Sequence, residues 1–362
     1  RCNALWPCFQ WDSNLGSDLS VALQHCWDQL RTPVLPVPFQ WDDHTTLTQT
    51  HLSSLVSKTL LDGWYSRAGS DDACRLHAYA VDGSAAALGL TPSHTLDTTL
   101  SRSDFLAILG GRLGVDVCGG GPCRFCGKPS DCKGRHALSC MAGGDHVALH
   151  NSLRDLVFDY CQRAQVRPVL EAPGLLNGQR RPADVLVRSA TGLVPRLPDG
   201  AQPHNPPPLA LDIAVVNALG DTHWDATRQA AGAACLAYAQ RKRAHNRTAG
   251  LCEAAGVRYL PLVWEVQGGS TPETRAFVHR LCGAVAVVEG LDPGVVKSRF
   301  SDQVVILLAR ASGRAIVAGK LSWETEPAFP WTLVQHWKAG SVRSEEHTSE
   351  LQSRFGISYA VF

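Results

Sequence analysis

The sharpest change of hydrophobic period in the chain falls between residues 146 and 217. In "GGDHVALHNSLRDLVFDYCQRAQ" the apolar positions Leu149, Leu153, Leu156, Val157 and Tyr160 recur at three- and four-residue spacing, which predicts an amphipathic helix over residues 146 to 164. The period then shortens. "RPVLEAPGLL", "RRPADVLVRS" and "PLALDIAVVN" alternate or run apolar between Gly, Pro and Asn, the signature of three strands. Helical spacing returns in "DTHWDATRQAAGAACLAYAQRKRAHN", expected as one helix, and "GVRYLPLVWEVQGG" reads as a fourth strand ending in a glycine turn. The pattern predicts an α/β unit.

Three acidic residues interrupt this apolar pattern: Glu171, Asp184 and Asp212. Alternation along "LALDIAV" sets Asp212 on one sheet face with Ala210 and Ala214, opposite Leu209, Leu211 and Ile213. A carboxylate on the small-residue face of an otherwise apolar strand is costly unless it is paired or binds a cation. Each acid taken alone reads as a strand-end or turn residue. Two carboxylates from neighbouring strands would make a hard oxygen site suited to Mg²⁺.

A second chemical cluster precedes the helix. "CRFCGKPSDCKGRHALSC", residues 123 to 140, holds Cys123 and Cys126 as C-x2-C followed by Gly127, with His136 and Cys140 completing C-x2-C-x9-H-x3-C. Such a closed N/S set suits structural zinc, and Cys118 or Cys132 could replace the third or fourth ligand. The loop "GKPSDCKGR" has no apolar positions to build a core, so bound metal would supply its folding free energy. Knuckles of the retroviral type, which grip RNA by themselves, use shorter spacing. Of the thirteen cysteines, Cys2, Cys8, Cys26, Cys74, Cys161 and Cys235 stand apart in apolar surroundings, and the odd total with no secretory signal argues against a disulfide scaffold.

Composition narrows the remainder. With 362 residues, 44% of them hydrophobic, and no run of eighteen apolar residues, a soluble intracellular chain of two or three units is expected. Position 1 is not Met and the single Met is Met141, so an internal piece of a longer protein is expected. From Arg343 the chain reads "RSEEHTSELQS", "RFG", "ISYAVF", which looks like a translated sequencing-library adapter and is set aside from fold reasoning. The formal net charge of +1 is mild, but Arg180 and Arg181 flank the second strand, and Arg228, Arg241, Lys242, Arg243 and Arg247 gather on the expected helix. Such clusters can neutralise phosphates, or simply solvate a helix face.

Taken in order, "SRSDFLAILGGRLGV", the Cys/His cluster, "GRHALSC", "HNSLRD", "RRPADVLV", "LALDIAVV" and "PLVWEVQGG" resemble the C-terminal zinc knuckle and restriction-like endonuclease of site-specific non-LTR retrotransposons, across about Ala86 to Gly269. The resemblance implies a restriction-endonuclease-like core (helix, mixed sheet, helix) at 143–290. A mainly helical region at 1–117 downstream of a reverse transcriptase and a CCHC knuckle at 118–142 would precede it, and an extension at 291–342 would follow. It also implies a Mg²⁺-dependent nick in target DNA that primes reverse transcription, element RNA as a partner of the full-length protein, and a nuclear location.

The family's P-D…D/E-x-K motif maps onto Pro182-Ala183-Asp184, with one inserted residue, and Asp212-Ile213-Ala214. Ala214 stands where lysine is expected. Lys242 on the following helix is then the candidate lysine, with Arg228 as the alternative. Glu171 would assist the metal, and His150 and Asn151 recur in the family pattern, although capping or core roles serve them equally. Glu265 reads as an exposed edge carboxylate. Arg180, Arg181, Arg228, Arg241 and Arg243 would contact nucleic acid. A catalytically inactive binding module and a purely structural zinc scaffold are the competing readings.

Overall fold

The computed structural model describes residues 62–84, 86–176, 182–195 and 205–319. Residues 62–67 belong to a first unit and hold a single helical turn, and the described residues from Ala68 onward fall in a second, compact unit. Three helices open the second unit: α1 (Ser70–Tyr79), α2 (Ala86–Gly89) and α3 (Arg102–Leu113). A two-stranded ribbon, β1 (Gly121–Pro122) and β2 (Pro129–Ser130), leads into the short α4 (Arg135–Ser139). Next come α5 (Asp145–Arg163), β3 (Pro168–Leu170), β4 (Val185–Val187) and β5 (Leu209–Val216). After α6 (Trp224–Gln229), α7 (Ala233–Ala244), a 3-10 turn at His245–Arg247 and α8 (Thr248–Ala254), the chain returns as β6 (Arg258–Glu265). Helices α9 (Pro272–Glu289) and α10 (Pro293–Ala318) complete the described part.

The main sheet has the order β3-β4-β5-β6. Its first two pairings are antiparallel and the last is parallel, so the protein is mixed α/β with a mixed sheet. Parallel neighbours need a long crossover, and α6 to α8 supply it between β5 and β6.

Side-chain alternation decides what each face of the sheet meets. Leu209, Leu211, Ile213 and Val215 of β5 join Leu262 and Trp264 of β6 in the main core, against Leu153 and Val157 of α5, Phe277 and Leu281 of α9, and Phe300 and Leu308 of α10. Fully burying each such side chain contributes roughly 1.5–3 kcal/mol. Helix α10 lies within the segment expected as an extension, yet it supplies part of this core. Its start is set by Asp292, which accepts from the Gly294 and Val295 amides, with Pro293 in the first turn.

The opposite face carries small residues. Ala214, Val216 and Val263 pack on Ala234, Cys235 and Ala239 of α7, and Ala210 lies with Leu186, Tyr259 and Cys252. Asp212 is the one polar position of β5, set between Ala210 and Ala214 on this face as its alternation indicates.

One expected element is corrected. The single helix over "DTHWDATRQAAGAACLAYAQRKRAHN" is two helices and a turn, because Ala230 is extended and Gly232 takes a left-handed conformation at φ 74°. Arg228 therefore sits on α6 while Lys242 sits on α7. Among the described residues, no helix is long and apolar enough to cross a membrane.

Candidate functional site

Two constellations stand out, and the first is the cysteine cluster. The β1–β2 ribbon holds Cys123 and Cys126 at its tip, where the Gly127 amide donates to the Cys123 carbonyl (2.8 Å) and Gly127 adopts φ 71°, a value that favours glycine. His136 comes from α4, and Cys140 caps that helix. The Asp131 carboxylate accepts from the amides of Lys133 (2.9 Å), Arg135 (3.1 Å) and His136 (2.9 Å), which fixes the helix that presents the imidazole.

The four ligand atoms lie within 4.8 Å of one another, with Cys123 Sγ 3.8 Å from Cys140 Sγ and Cys126 Sγ 3.2 Å from His136 Nε2. Tetrahedral zinc with bonds near 2.3 Å to sulfur sets sulfur–sulfur edges of about 3.8 Å. The set Cys123, Cys126, His136 and Cys140 therefore fits zinc in donor chemistry and in size. Burial opposes the Cys123 thiolate, but the amides of Cys126 and Phe125 and the His136 ring outweigh it and bring the thiol down to about 6. Of the two alternative ligands, Cys118 donates its thiol to the Asp131 carbonyl instead (3.3 Å), and neither it nor Cys132 belongs to the set.

The knuckle is stitched to its surroundings. Asn217, just past β5, donates to Ser139 Oγ (2.9 Å) and to the Arg135 carbonyl (3.1 Å). Arg135 pairs with Asp71 of α1 at 2.7 Å and lies over the Trp224 ring of α6.

The second constellation is a row across the main sheet. Register pairs Leu170 with Val185 and Val185 with Leu211, so Glu171, Asp184 and Asp212 each stand one residue beyond a paired position at the same end of the sheet. Glu171 donates to the Asp184 carbonyl and so extends the β3–β4 ladder by one step, whereas Asp184 donates to the Leu211 carbonyl and faces the residue that Val185 already pairs with, both bonds at 2.9 Å. Residues directly opposite in an antiparallel pair hold their Cβ atoms roughly 4.5–5.5 Å apart. Asp184 and Asp212 are not such a pair, but the Ile213 amide next to Asp212 donates to Asp184 Oδ2 and brings the two acids together.

Asp184 Oδ2 accepts from the Ile213 amide at 2.7 Å, while its Oδ1 lies 3.4 Å from His150 Nε2. Lys242 Nζ donates to Asp212 Oδ1 at 3.0 Å, and the Tyr259 hydroxyl donates to Asp212 Oδ2. These surroundings push the two carboxyls apart. Burial raises Asp212, and Lys242 and Tyr259 offset it only in part. Burial also works against Asp184, but His150, the Ile213 amide and Lys242 prevail and hold it below the usual carboxylate value. Burial likewise opposes the Lys242 ammonium and is outweighed by Asp212, so its pKa rises.

Scans of known protein-family models and of curated proteins returned no match.

The other candidate residues scatter. Glu171 is aligned with the row, but its left-handed backbone (φ 43°) takes it out of the pleat, and its carboxylate pairs with Arg154 of α5 at 3.0 Å. Among the described residues, the Cys/His set is the one group in which three or more metal-capable atoms converge. Arg228 pairs with Asp225 of its own helix at 3.6 Å. Arg243 pairs with Glu273 of α9, and exposed Arg241 stacks on Tyr238, 4.4 Å from the ring centroid. Arg180 and Arg181 lie outside the described residues.

Glu265 is the clearest departure from expectation. It is fully buried, not an exposed edge carboxylate. Its Oε1 accepts from the Cys235 amide in the first turn of α7 (3.2 Å), where the helix dipole favours an acid, and its Oε2 has no hydrogen-bond partner among the described residues. Burial lifts its pKa. Tyr259 is the residue that sequence reasoning passed over. Its only signal was a hydroxyl on an otherwise apolar strand, on the face its alternation shares with the acid of a strand 47 residues away.

Proposed function

We propose that this chain is a Mg²⁺-dependent DNA endonuclease of the restriction-like kind, the nicking region of a non-LTR retrotransposon protein. One observation carries the proposal: Asp184, just before β4, reaches the Ile213 amide beside Asp212, and Lys242 reaches Asp212 from α7 although position 214 of the motif is alanine. The order helix, three strands, crossover helices, strand, with a parallel last pair, is the arrangement the resemblance implies and supports the reading.

The donor set suits a hard cation. Both carboxylates are oxygen donors on a face of small residues, and His150 Nε2 stands near Asp184 Oδ1 as a neighbouring donor. Asp184 and Asp212 would hold Mg²⁺, which when bound supplies Lewis acidity toward a phosphate oxygen and lowers the pKa of water. The chain's own groups do the rest. Lys242 releases Asp212 to meet the negative charge that grows on the scissile phosphate, and a charge placed there in a water-poor site contributes on the order of 10²–10³ in rate. His150 steadies Asp184. Arg241, exposed beside α7, gives the phosphate backbone a contact that fixes register without reading sequence. The zinc knuckle braces the end of β5 through Asn217 and so holds the strand that carries Asp212. Target DNA, element RNA bound through a longer polypeptide, and a nuclear location belong to the same proposal.

Incubating the full chain with supercoiled plasmid and Mg²⁺ or Mn²⁺ tests it. Open circles that disappear in Asp184→Asn are expected. Plasmid retention without nicking would make the chain an inactive binding module, and neither binding nor nicking would leave a zinc scaffold.

A further inference from the structure

Each aspartate of the pair is held unevenly, and the unevenness repeats. Asp184 gives Oδ2 to a backbone amide, Ile213 at 2.7 Å, and Oδ1 to the more distant His150 ring at 3.4 Å. Asp212 gives Oδ2 to Tyr259 and Oδ1 to Lys242. On each acid one oxygen thus meets a group that cannot move and the other meets a group that can.

Tyr259 belongs with the immovable ones. It is 8% exposed on β6, in register with Ala210, and its ring is packed among Ala172, Ala183, Leu186, Ala210, Cys252 and Val257. A phenol so enclosed must place its hydroxyl on a partner, because an unpartnered buried donor costs about 1–3 kcal/mol. Asp212 is that partner. Lys242 differs: its side chain is 30% exposed and carries a long flexible stem, so it can leave Oδ1 and reach elsewhere.

We infer that Tyr259 is the positioning residue that sets the cation affinity of the Asp184–Asp212 pair, by pinning Asp212 Oδ2 so that Oδ1 is presented once Lys242 withdraws. The inference rests on the proposed function and deepens it. Hydrogen bonds that orient ligating carboxylates typically contribute 10- to 100-fold to metal affinity. A lysine on the same carboxylate acts in the opposite sense, because its charge competes with the cation.

Calorimetric titration of the zinc-saturated full chain with Mn²⁺ tests this, the site being defined as the binding lost in Asp212→Asn. Tyr259→Phe keeps the ring and should weaken that site about 10-fold or more, with the melting temperature monitored alongside. Lys242→Met should leave it equal or tighter. General loosening of the fold would depress both variants and could not give opposite signs. If Tyr259→Phe binds Mn²⁺ as tightly as the parent chain, or if both variants weaken equally, the positioning role is overturned. Should the parent chain lack any Asp212-dependent site, the endonuclease proposal fails and takes this inference with it.

Discussion

The zinc knuckle and the carboxylate row are built in opposite ways. All four knuckle ligands come from eighteen consecutive positions and are carried by a ribbon of two two-residue strands and a five-residue helix with few buried side chains. The row takes Asp184 from just before β4, and Asp212, Lys242 and Tyr259 from β5, α7 and β6, elements gripped by the main core and by two smaller clusters on the far face. Four ligands converge in the knuckle where little else does, so metal binding there is folding free energy. In the row the hydrophobic core fixes the geometry beforehand, and the proposed cation would be a visitor. Losing the ion should unfold the first region and leave the second standing.

Zinc removal is therefore the largest expected effect. Structural zinc in finger peptides is worth roughly 10–16 kcal/mol at neutral pH. Purified protein should carry one zinc through its four-ligand set, and Cys126→Ser or a strong chelator should lower the melting temperature by on the order of 10 °C. Elemental analysis showing no zinc in freshly reduced protein would erase the contrast.

Lys242→Ala comes next. With the ammonium gone, nicking should fall about 10²-fold and the melting temperature should drop as Asp212 loses its ion partner, whereas Arg228→Ala should change nicking little because Arg228 pairs with Asp225 of its own helix. Equal losses in the two variants would mean that the lysine is not part of the row.

The smallest effect concerns Glu265. Its folded pKa lies above the unfolded value, so the stability it contributes is complete at acid pH and is lost as pH rises through the folded value. Glu265→Gln keeps an acceptor for the Cys235 amide and should flatten that decline, raising the melting temperature at pH 8 by on the order of a few degrees with little change at pH 4. A variant that melts lower than the parent chain at both pH values would show that the carboxylate is held ionised.

How much of each region could be seen in the chain follows from the same contrast. The knuckle was legible because its spacing is local, and a C-x2-C followed by glycine specifies a turn whatever surrounds it. Alternation along β5 likewise placed Asp212 on its face, and three- and four-residue spacing located α5 to within one residue at each end. Where the reading departed, the cause was tertiary. Gly232 broke the expected long helix because a left-handed residue is needed to lay α7 across the sheet, and no local pattern distinguishes that glycine from a tolerated one. Glu265 looked like a strand-end acid, but its burial depends on α7 starting directly above it. Glu171 keeps its place in the ladder and loses its direction through one positive φ, which glutamate does not announce. Tyr259 acquires its partner only when β5 and β6 pair in parallel across a long crossover.

The central claim is that Asp184 and Asp212 form one cation site that cuts DNA. The most direct measurement is the Mn²⁺- or Mg²⁺-dependent conversion of supercoiled plasmid to open circles by the full chain and by Asp212→Asn, with zinc content and melting temperature recorded for both. The account predicts that the variant keeps its zinc and a cooperative melting transition and yields no open circles, with a lower melting temperature because Lys242 loses its ion partner. Nicking by Asp212→Asn at the parent rate would contradict it, and the row would then be an ion pair with no chemistry of its own.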